Sequence, residues 1–463
     1  MAGNGATRQV ADFIARTKYE DLPPEVIQKT KELILDQLGV ALASSTLPWN
    51  RKVLDYVKAM GVNGASRVIG TNDRTSIEYA ALVNGTFGHG FELDDYCTPC
   101  GAHVGCVVLP ASLAAAEQTE ATGRDLLTAF ALGAETILRV GFAVTVRGIS
   151  SRGFHSTSAY GPFGAAAGAG KLFGLDRDAM TNAIGIAGSH ASGTTEYDQT
   201  GGDIKRLHAG IAGMAGIRAT LLAKAGFTAP PTILEGKNGI LNAFSSSPEP
   251  AKLTESLGSK FYMLMTRIKP YACCGAIIPE IDALKQILQT RRVSPAEVKS
   301  ITVGVENRAL SHVGTVGPEP KDITGAQFSS HFSLGLAIAK GNNDFATYFE
   351  ALSNGFSDRD VLAVAKKVTV RHDDESEAIY PSTRLGKVRL ETTDGNKYEA
   401  KVFHPKGSPE NPLSDEELRR KFMGLAAMVL SQEKSQQIME TVESLEQLKD
   451  ARGLAALLTT TGR

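Results

Sequence analysis

The sequence has almost no excess charge of either sign. Its 49 lysines and arginines nearly balance 50 aspartates and glutamates, which leaves a formal net charge of −1 over 463 residues. A balance of this kind provides no extended positive surface for nucleic acid or for an anionic membrane. We therefore expect neither as a partner, and any positive charge that serves function must be local.

Cysteines and long apolar runs are also scarce. The chain contains five cysteines, too few for the disulfide framework of a secreted protein of this size. Its longest apolar runs are interrupted by Pro110, Glu117 or Arg139 before they reach membrane-spanning length. The first 21 residues mix charges of both signs and lack the apolar core of a signal peptide. These features predict a cytoplasmic protein with reduced cysteines.

Helical periodicity dominates what is present. Apolar residues recur on one helical face after Pro24, and an Ala- and Gly-rich helical pattern continues from 109 to 239. Within that pattern, residues 164–174 superficially resemble a phosphate-binding loop. Ala165 and Leu172, however, stand where the motif requires a glycine and a hydroxyl residue. We therefore predict closely packed helices here and no nucleotide site.

The character of the sequence changes near residue 266. Residues 301–305 alternate between apolar and polar, and Asp394-Gly395 separates two further alternating runs, which is typical of a hairpin. Helical patterns then resume, and Ser414 and Glu417 have the spacing of a capping box. We predict a mainly α protein with a large all-helical domain (1–265, completed by the C-terminal helices of 406–463) and an inserted smaller α+β lid domain (266–405).

Reactive side chains are most concentrated in a loop between two apolar, helix-compatible runs. They are His89, Glu92, Asp94, Asp95, Tyr96, Cys97, Cys100, His103 and Cys106. Loops held by rigid scaffolds commonly carry binding and catalytic residues. This loop is therefore the first candidate site.

Three interpretations of this loop are open. The spacing of Cys97, Cys100, His103 and Cys106 imitates a zinc knuckle and would indicate a metal or redox protein. The carboxylates and His103 favour acid–base chemistry on a small polar substrate. The third interpretation is a solvated loop whose histidine is satisfied by ordinary hydrogen bonds.

Two basic segments stand beside predicted helix starts. Arg152 and His155 precede a run of hydroxyl residues, where they could bind an anion or merely cap a helix. Lys205 and His208, three residues apart, would share one face of a helix. A cation beside a buried helix start needs an anionic partner, which is either Asp203 or a substrate carboxylate. The alternative for this second segment is an ordinary surface basic cluster.

A third polar segment, Lys269-Pro-Tyr271, lies at the predicted junction between the domains, where ligand sites are common. The sequence thus combines several cations, loop histidines and carboxylates without a nucleotide or flavin motif. This combination predicts an enzyme that acts on a small, multiply anionic molecule by proton transfer.

Several short motifs extend in a fixed order over nearly the whole chain. They are Ala81-Leu-Val-Asn-Gly85, Glu92-Leu-Asp-Asp95, His103 with Leu109-Pro110, Gly153-Phe-His155, Ile204-Lys-Arg-Leu-His208, Lys269-Pro-Tyr271 and Asn411-Pro-Leu-Ser-Asp415. In order and spacing they resemble the MmgE/PrpD family of 2-methylcitrate dehydratases, cis-aconitate decarboxylases and iminodisuccinate epimerases. Within that family, Tyr96, the Tyr271-Ala-Cys-Cys-Gly275 segment and Ser311-His312 are most similar to the fungal type of cis-aconitate decarboxylase.

The resemblance implies a homodimer of two-domain subunits, with the site between the domains and with no metal or organic cofactor. It implies catalytic roles for His103, His155, Lys205 and Asp94. The wider candidate substrate-binding set consists of Glu92, Tyr96, Arg152, His208, Lys269, Tyr271 and His312.

Ile278 departs from the family pattern, which commonly has a histidine there, and His312 is a candidate substitute. We expect a lyase that acts on a small di- or tricarboxylate, either a decarboxylase or a dehydratase. An epimerase or isomerase of a small dicarboxylate remains an alternative, as does the metal or redox protein. The sequence assigns no role to the adjacent thiols of Cys273 and Cys274.

Overall fold

The structure, a computed structural model, describes residues 5–460, with the side chains of Gln199 and Thr200 left undescribed. The first part of the chain is helical, apart from a short antiparallel pair, β1 (Ser66–Arg67) and β2 (Arg74–Thr75). Its helices are α1 (Ala6–Arg16), α2 (Pro24–Ser44), α3 (Pro48–Ala59), α4 (Ile77–Gly88), α5 (Gly105–Thr119), α6 (Gly123–Val144), α7 (Val146–Ser151), α8 (Ser156–Leu172), α9 (Arg177–Gly188), α10 (Tyr197–Thr200), α11 (Ile204–Lys224) and α12 (Ile240–Phe244).

Small residues let the central helices of this part approach closely. α11 packs against both α8 and α4, and a Cβ placed on Gly85 would lie 2.9 Å from Gly210 Cα across the α4–α11 contact. On α8, a Cβ on Gly164 would overlap Ile137 of α6. The glycine-rich segment from 164 is therefore a buried helix, as predicted.

α6 is long and apolar enough to cross a membrane, but 94% of its most apolar 18-residue window is buried inside the protein. The expectation that Arg139 keeps this segment short of membrane-spanning length is wrong, because one apolar helix runs through it from Gly123 to Val144. The Arg139 guanidinium is fully buried, and its Nε lies 2.8 Å from Glu135 Oε1 one turn earlier. α6 is thus a core helix that carries an internal ion pair.

The second part mixes helices with a four-stranded sheet. Its elements are α13 (Ile278–Thr290), β3 (Val298–Val305), α14 (Asn307–Ala309) continued by a π-helical turn (Leu310–Gly314), α15 (Ile323–Phe328), α16 (Ser330–Ala339), α17 (Phe345–Ser353), α18 (Arg359–Ala365), β4 (Val368–His372), α19 (Asp374–Ile379), β5 (Gly386–Thr392) and β6 (Lys397–Val402). The strand order is β4-β3-β5-β6, in which β3 and β4 are parallel and the other pairs antiparallel.

The predicted hairpin is confirmed. Val388 of β5 pairs with Ala400 of β6, and Gly395 in the connecting turn has a φ of 89°. α13 covers this pair of strands on one face, so their apolar side chains join the core of the α+β part.

The last helices are α20 (Asp415–Ala426), α21 (Gln432–Glu443) and α22 (Arg452–Leu457). The capping box at the start of α20 is confirmed, because Ser414 Oγ accepts from the Glu417 backbone N–H and Glu417 accepts in return. α20 and α21 pack against α2, and Phe422 belongs to the core of the helical part. The mainly α class with a smaller α+β portion is therefore confirmed, while the exact domain boundaries stay a prediction.

The two connections between the parts run side by side. The Ile268 N–H donates to the Gly407 carbonyl at 3.0 Å, and Arg267 and Tyr96 exchange two backbone hydrogen bonds. This junction places Lys269, which is 1% exposed, directly beside the loop that follows α4.

Candidate active site

The loop between α4 and α5 is held by its own carboxylates. The two oxygens of Asp95 accept the backbone N–H groups of Val104 and Gly105, each at 2.9 Å. These bonds hold the loop against the start of α5, so Asp95 anchors the loop. Glu92 adopts a left-handed conformation, with a φ of 53°, which is rare for a residue with a side chain. Such strain is common where a side chain is held for function.

Asp94 is shared between two histidines. Its Oδ2 lies 2.7 Å from His89 Nδ1 and 2.9 Å from His103 Nδ1. Because an ionised carboxylate only accepts hydrogen bonds, His89 Nδ1 carries the proton of its hydrogen bond, and His103 Nδ1 faces the same carboxylate oxygen. Burial opposes ionisation of Asp94, yet the charges and hydrogen bonds of the two imidazoles outweigh it and hold its pKa well below the ordinary value. The Nε2 atom of His103 is left free to exchange a proton.

His155 and His208 form a second imidazole pair. Their Nδ1 atoms are 3.0 Å apart, so one must donate and the other accept. Burial and the charge of Lys205 lower the pKa of His208 to about 4 and that of His155 well below its ordinary value. Both rings are therefore neutral at neutral pH. His155 makes no side-chain cap for α8, so the simple capping interpretation is wrong.

Glu92 is clamped between two lysines. Lys205, in the first turn of α11, bonds directly to its carboxylate, and Lys269 Nζ lies 3.3 Å from Glu92 Oε2. Burial raises the pKa of Glu92, but the two ammonium groups outweigh this and hold it below its ordinary value. Of the two anionic partners considered, Asp203 does not pair with Lys205; it lies 3.1 Å from the exposed Lys52 and 3.8 Å from Arg206. The surface-cluster alternative is wrong as well, since Lys205 is 5% exposed.

These groups surround a cleft of about 110 Å³ between the helical and the α+β parts. Glu92, Tyr96, His103, His155, Lys205 and Lys269 line it from the helical side and the junction, and His312 lines it from the π-helical turn. Lys205 Nζ also lies 5.4 Å from the ring centre of Phe328 on the opposite wall. The structure thus brings together seven of the eleven predicted site residues around one cavity.

The remaining four lie elsewhere. Asp94 and His208 are directly behind His103 and His155, where they hold those rings. Arg152 is exposed and does not line the cavity. Tyr271 points away from it and donates to Asp282 at 2.7 Å. Arg152 and Tyr271 are therefore not among the residues that can contact a ligand in this cavity.

The side chains with zinc-knuckle spacing do not converge on one point; they belong to Cys97, Cys100, His103 and Cys106. Among the described residues, one group of potential ligands lies within 4.8 Å, and it consists of His89, Asp94 and Cys106. His103 turns to Asp94. The Cys100 thiol is buried against Cys97, and burial raises its pKa well above the ordinary value, which disfavours a metal-binding thiolate. The geometry contradicts the metal interpretation of this spacing.

Comparison with known proteins places the chain in a family. The model of the MmgE/PrpD N-terminal domain matches residues 8–253, and that of the MmgE/PrpD C-terminal domain matches 271–447. A cis-aconitate decarboxylase of Aspergillus terreus is 30% identical, with 99% of this chain and 96% of the relative aligned. The cis-aconitate decarboxylases of mouse and human are 29% and 28% identical over 94% of their own lengths.

This chain belongs to the MmgE/PrpD family. Family membership and the named relatives support an enzyme of the MmgE/PrpD type, in general terms a decarboxylase or dehydratase lyase. At the position where the family commonly has a histidine, Ile278 is fully buried in the apolar core of the α+β part. His312 lines the cavity from the α+β part.

Two cavity arginines of this MmgE/PrpD protein were not found from the sequence. Arg308 precedes the π-helical turn, and among the described residues no carboxylate pairs with it. Arg384 lies just before β5, and its Nη1 is 2.9 Å from Glu306 Oε1. Neither stands in a motif or periodic pattern. Only the folding of the α+β part over the helices gives them a place in the site.

Proposed function

We propose that this protein is a cofactor-independent lyase of the cis-aconitate decarboxylase type, which acts on a small tricarboxylate by histidine-mediated proton transfer. The observation that carries the proposal is the Asp94-oriented His103 facing a cavity that also holds four cations, namely Lys205, Lys269, Arg308 and Arg384. The relatives named cis-aconitate decarboxylase support the choice of substrate class.

The cations suit a molecule that carries several carboxylates. Arg308 has no carboxylate partner among the described residues, so it is available for a planar carboxylate group. Lys205 and Lys269 are already held by Glu92, which fixes them at one end of the cavity. A tricarboxylate spanning the cavity would place its central carbons between these two groups and next to His103.

The reaction then needs one proton donor. The bond to the departing carboxylate breaks, CO₂ leaves, and the electron pair spreads through the adjacent double bond into a remaining carboxylate. Fixed cations at that carboxylate stabilise the developing charge. His103 gives an Nε2 proton to the carbon next to the carboxylate, and Asp94 orients the His103 ring during the transfer.

Dehydration is the second candidate, and one observation favours it. His155 is a neutral imidazole in the same cavity as His103. A neutral base and a protonated acid are the pair that removal of water requires. Turnover of cis-aconitate compared with that of 2-methylcitrate separates the two reactions.

Proton NMR of cis-aconitate, 2-methylcitrate and a small dicarboxylate, each incubated with the pure protein, tests the proposal. We expect cis-aconitate to lose CO₂ and yield a five-carbon unsaturated dicarboxylate, with no change in the presence of a metal chelator. If 2-methylcitrate is the only acid converted, the proposed reaction is dehydration instead of decarboxylation. Turnover of none of these acids would contradict the proposed substrate class.

We also propose that the protein is a homodimer, as its family resemblance implies. The mass in solution, measured by light scattering on an eluting chromatographic peak, tests this directly. A peak at twice the 49.1 kDa of one chain supports the proposal. A single peak at one chain mass, at the concentrations used for activity, contradicts it.

A further inference from the structure

Cys274 lies in the wall of the cavity and is not used by the proposed mechanism. It follows the junction, is partly exposed to the cavity, and is a free thiol. Its neighbour Cys273 is fully buried on the opposite side of the chain, near Tyr348. Two adjacent cysteines therefore have very different access to small molecules.

His312 joins Cys274 to a carboxylate. His312 and Cys274 both line this cavity, and His312 Nδ1 lies 3.1 Å from Asp198 Oδ2. The ring of Phe328, with its centre 5.1 Å away, packs at a steep angle to the imidazole and restrains its orientation. The Cys274 thiol is thus placed as a nucleophile, the His312 imidazole as the base that activates it, and the Asp198 carboxylate as the group that orients the base.

The surrounding charges support this arrangement. Burial raises the pKa of the Cys274 thiol, but the hydrogen bond and charge of His312 outweigh it and lower the pKa below its ordinary value. Burial likewise opposes the charged imidazole, yet Asp198 and Cys274 raise the pKa of His312 to about 9. The other charged or titratable groups that act on this pair are Lys269, Arg384, Glu92, Glu280, Tyr197 and Cys273.

We propose that Cys274 is a modification site, a thiol activated by His312 that small carboxylate-bearing electrophiles alkylate from within the cavity. The Cys274 sulfur attacks the electrophilic carbon, the S–C bond forms, the leaving group departs with its electron pair, and the thiol proton stays on His312. The preference for carboxylates follows from Lys269, Arg308 and Arg384 along the same wall.

Alkylation by iodoacetamide and by iodoacetate, followed by peptide mass spectrometry, tests the proposal on the full-length protein. In both reactions iodide is displaced from carbon by sulfur, but only iodoacetate carries a negative charge. An ordinary thiol is only a few per cent ionised at pH 7, so we expect Cys274 to react with iodoacetamide about 10-fold faster than free cysteine. We also expect its iodoacetate-to-iodoacetamide rate ratio to exceed that of free cysteine.

The matched variants are His312→Gln and Cys273→Ser. His312→Gln should slow alkylation of Cys274 by about 10-fold at pH 7 and move the midpoint of its pH profile upward, towards that of an ordinary thiol. Cys273→Ser should change neither the iodoacetamide rate nor the iodoacetate rate of Cys274. Propane-1,2,3-tricarboxylate, which cannot be alkylated, should slow labelling of the wild type, and this control does not require any variant to fold.

Equal reactivity of Cys274 and free cysteine would overturn the proposal, as would labelling that is unaffected by His312→Gln. The rate ratio and the labelling do not depend on turnover. If cis-aconitate is not decarboxylated, these results still decide the role of Cys274. The expected protection by a tricarboxylate alone rests on the proposed function.

Discussion

Two cavity histidines of similar burial have opposite electrostatic surroundings. His103 Nδ1 lies 2.9 Å from Oδ2 of the ionised Asp94, so a negative charge lies directly behind this ring. His155 faces the neutral His208 and the nearby charge of Lys205, which oppose its positive form. We therefore propose the acid role for His103 and the role of acceptor or base for His155.

Replacement of His103 by Gln should remove the proton donor and keep the size of the side chain. We expect kcat to fall by about 10²–10⁴-fold with a modest change in KM. The measurement is steady-state kinetics on cis-aconitate. His404→Gln, at an exposed histidine outside the cavity, is the matched control and should keep wild-type rates. Near-wild-type turnover in His103→Gln would remove the acid role.

Lys205 serves both Glu92 and the proposed substrate, and two variants separate these roles. Lys205→Met leaves a buried carboxylate with Lys269 as its remaining ammonium partner, so we expect a lower Tm together with a raised KM and a reduced kcat. Removing the Glu92 charge as well, in Lys205→Met/Glu92→Gln, should restore most of the Tm and none of the activity. Thermal melts and kinetics check this. Recovery of activity in the double variant would reduce Lys205 to a structural partner of Glu92.

At the scale of elements, a buried carboxyl at the start of α13 makes stability depend on pH. Ser330 Oγ donates to Glu280 Oε1 at 3.1 Å, and Oε2 has no partner among the described residues. Burial, reinforced by Glu306, raises the pKa of Glu280 to about 8. The folded protein therefore binds a proton that the unfolded chain, with an ordinary glutamate pKa of about 4.3, has lost.

The raised pKa of Glu280 determines whether the folded protein becomes more or less stable as pH rises. The contribution of Glu280 to folding stability is fully present below the pKa that Glu280 has in the unfolded chain. It is lost as pH rises through about 8, the pKa of Glu280 in the folded protein. Glu280→Gln removes this titration, so its Tm relative to wild type should rise between pH 5 and pH 8.5, by the equivalent of about 1 kcal/mol or more. Scanning calorimetry across this range measures the effect, with exposed Glu399→Gln as control. A pH-independent difference would show that Glu280 is already ionised.

Elements with a strong local signal were predictable from the sequence. The apolar runs on both sides of the loop became α4 and α5, the Asp394-Gly395 turn became the β5–β6 hairpin, and the capping box opened α20. Each depends on contacts within a few residues. The parallel pairing of β3 with β4 depends on strands more than 60 residues apart, and no local pattern indicates it.

At the scale of the whole molecule, the site exists only where the two parts meet. Asp198 of α10 pairs with His312 of the π-helical turn, and Arg384 reaches the same cavity from the start of β5. Sequence motifs identified most residues on the helical side, because they cluster near helix starts. They missed the arginines opposite, because nothing local distinguishes these from surface charges.

The α+β part should move as a lid on the helical part. Its two connections lie side by side at Ile268 and Gly407, which is the arrangement of a hinge, and the cavity lies between the parts. Hydrogen exchange with and without propane-1,2,3-tricarboxylate should differ mainly near 266–275 and 403–409, while α6 stays unchanged. Ligand-insensitive exchange at both connections would contradict a moving lid.

We propose that His103 places a proton on the carbon next to a substrate carboxylate. Proton NMR of cis-aconitate turned over in D₂O tests this role, because solvent deuterium reaches carbon only through the proton donor. We expect one deuterium per product molecule on the methylene carbon beside a carboxylate, and negligible product with His103→Gln. Unchanged deuterium incorporation and rate in His103→Gln would contradict it.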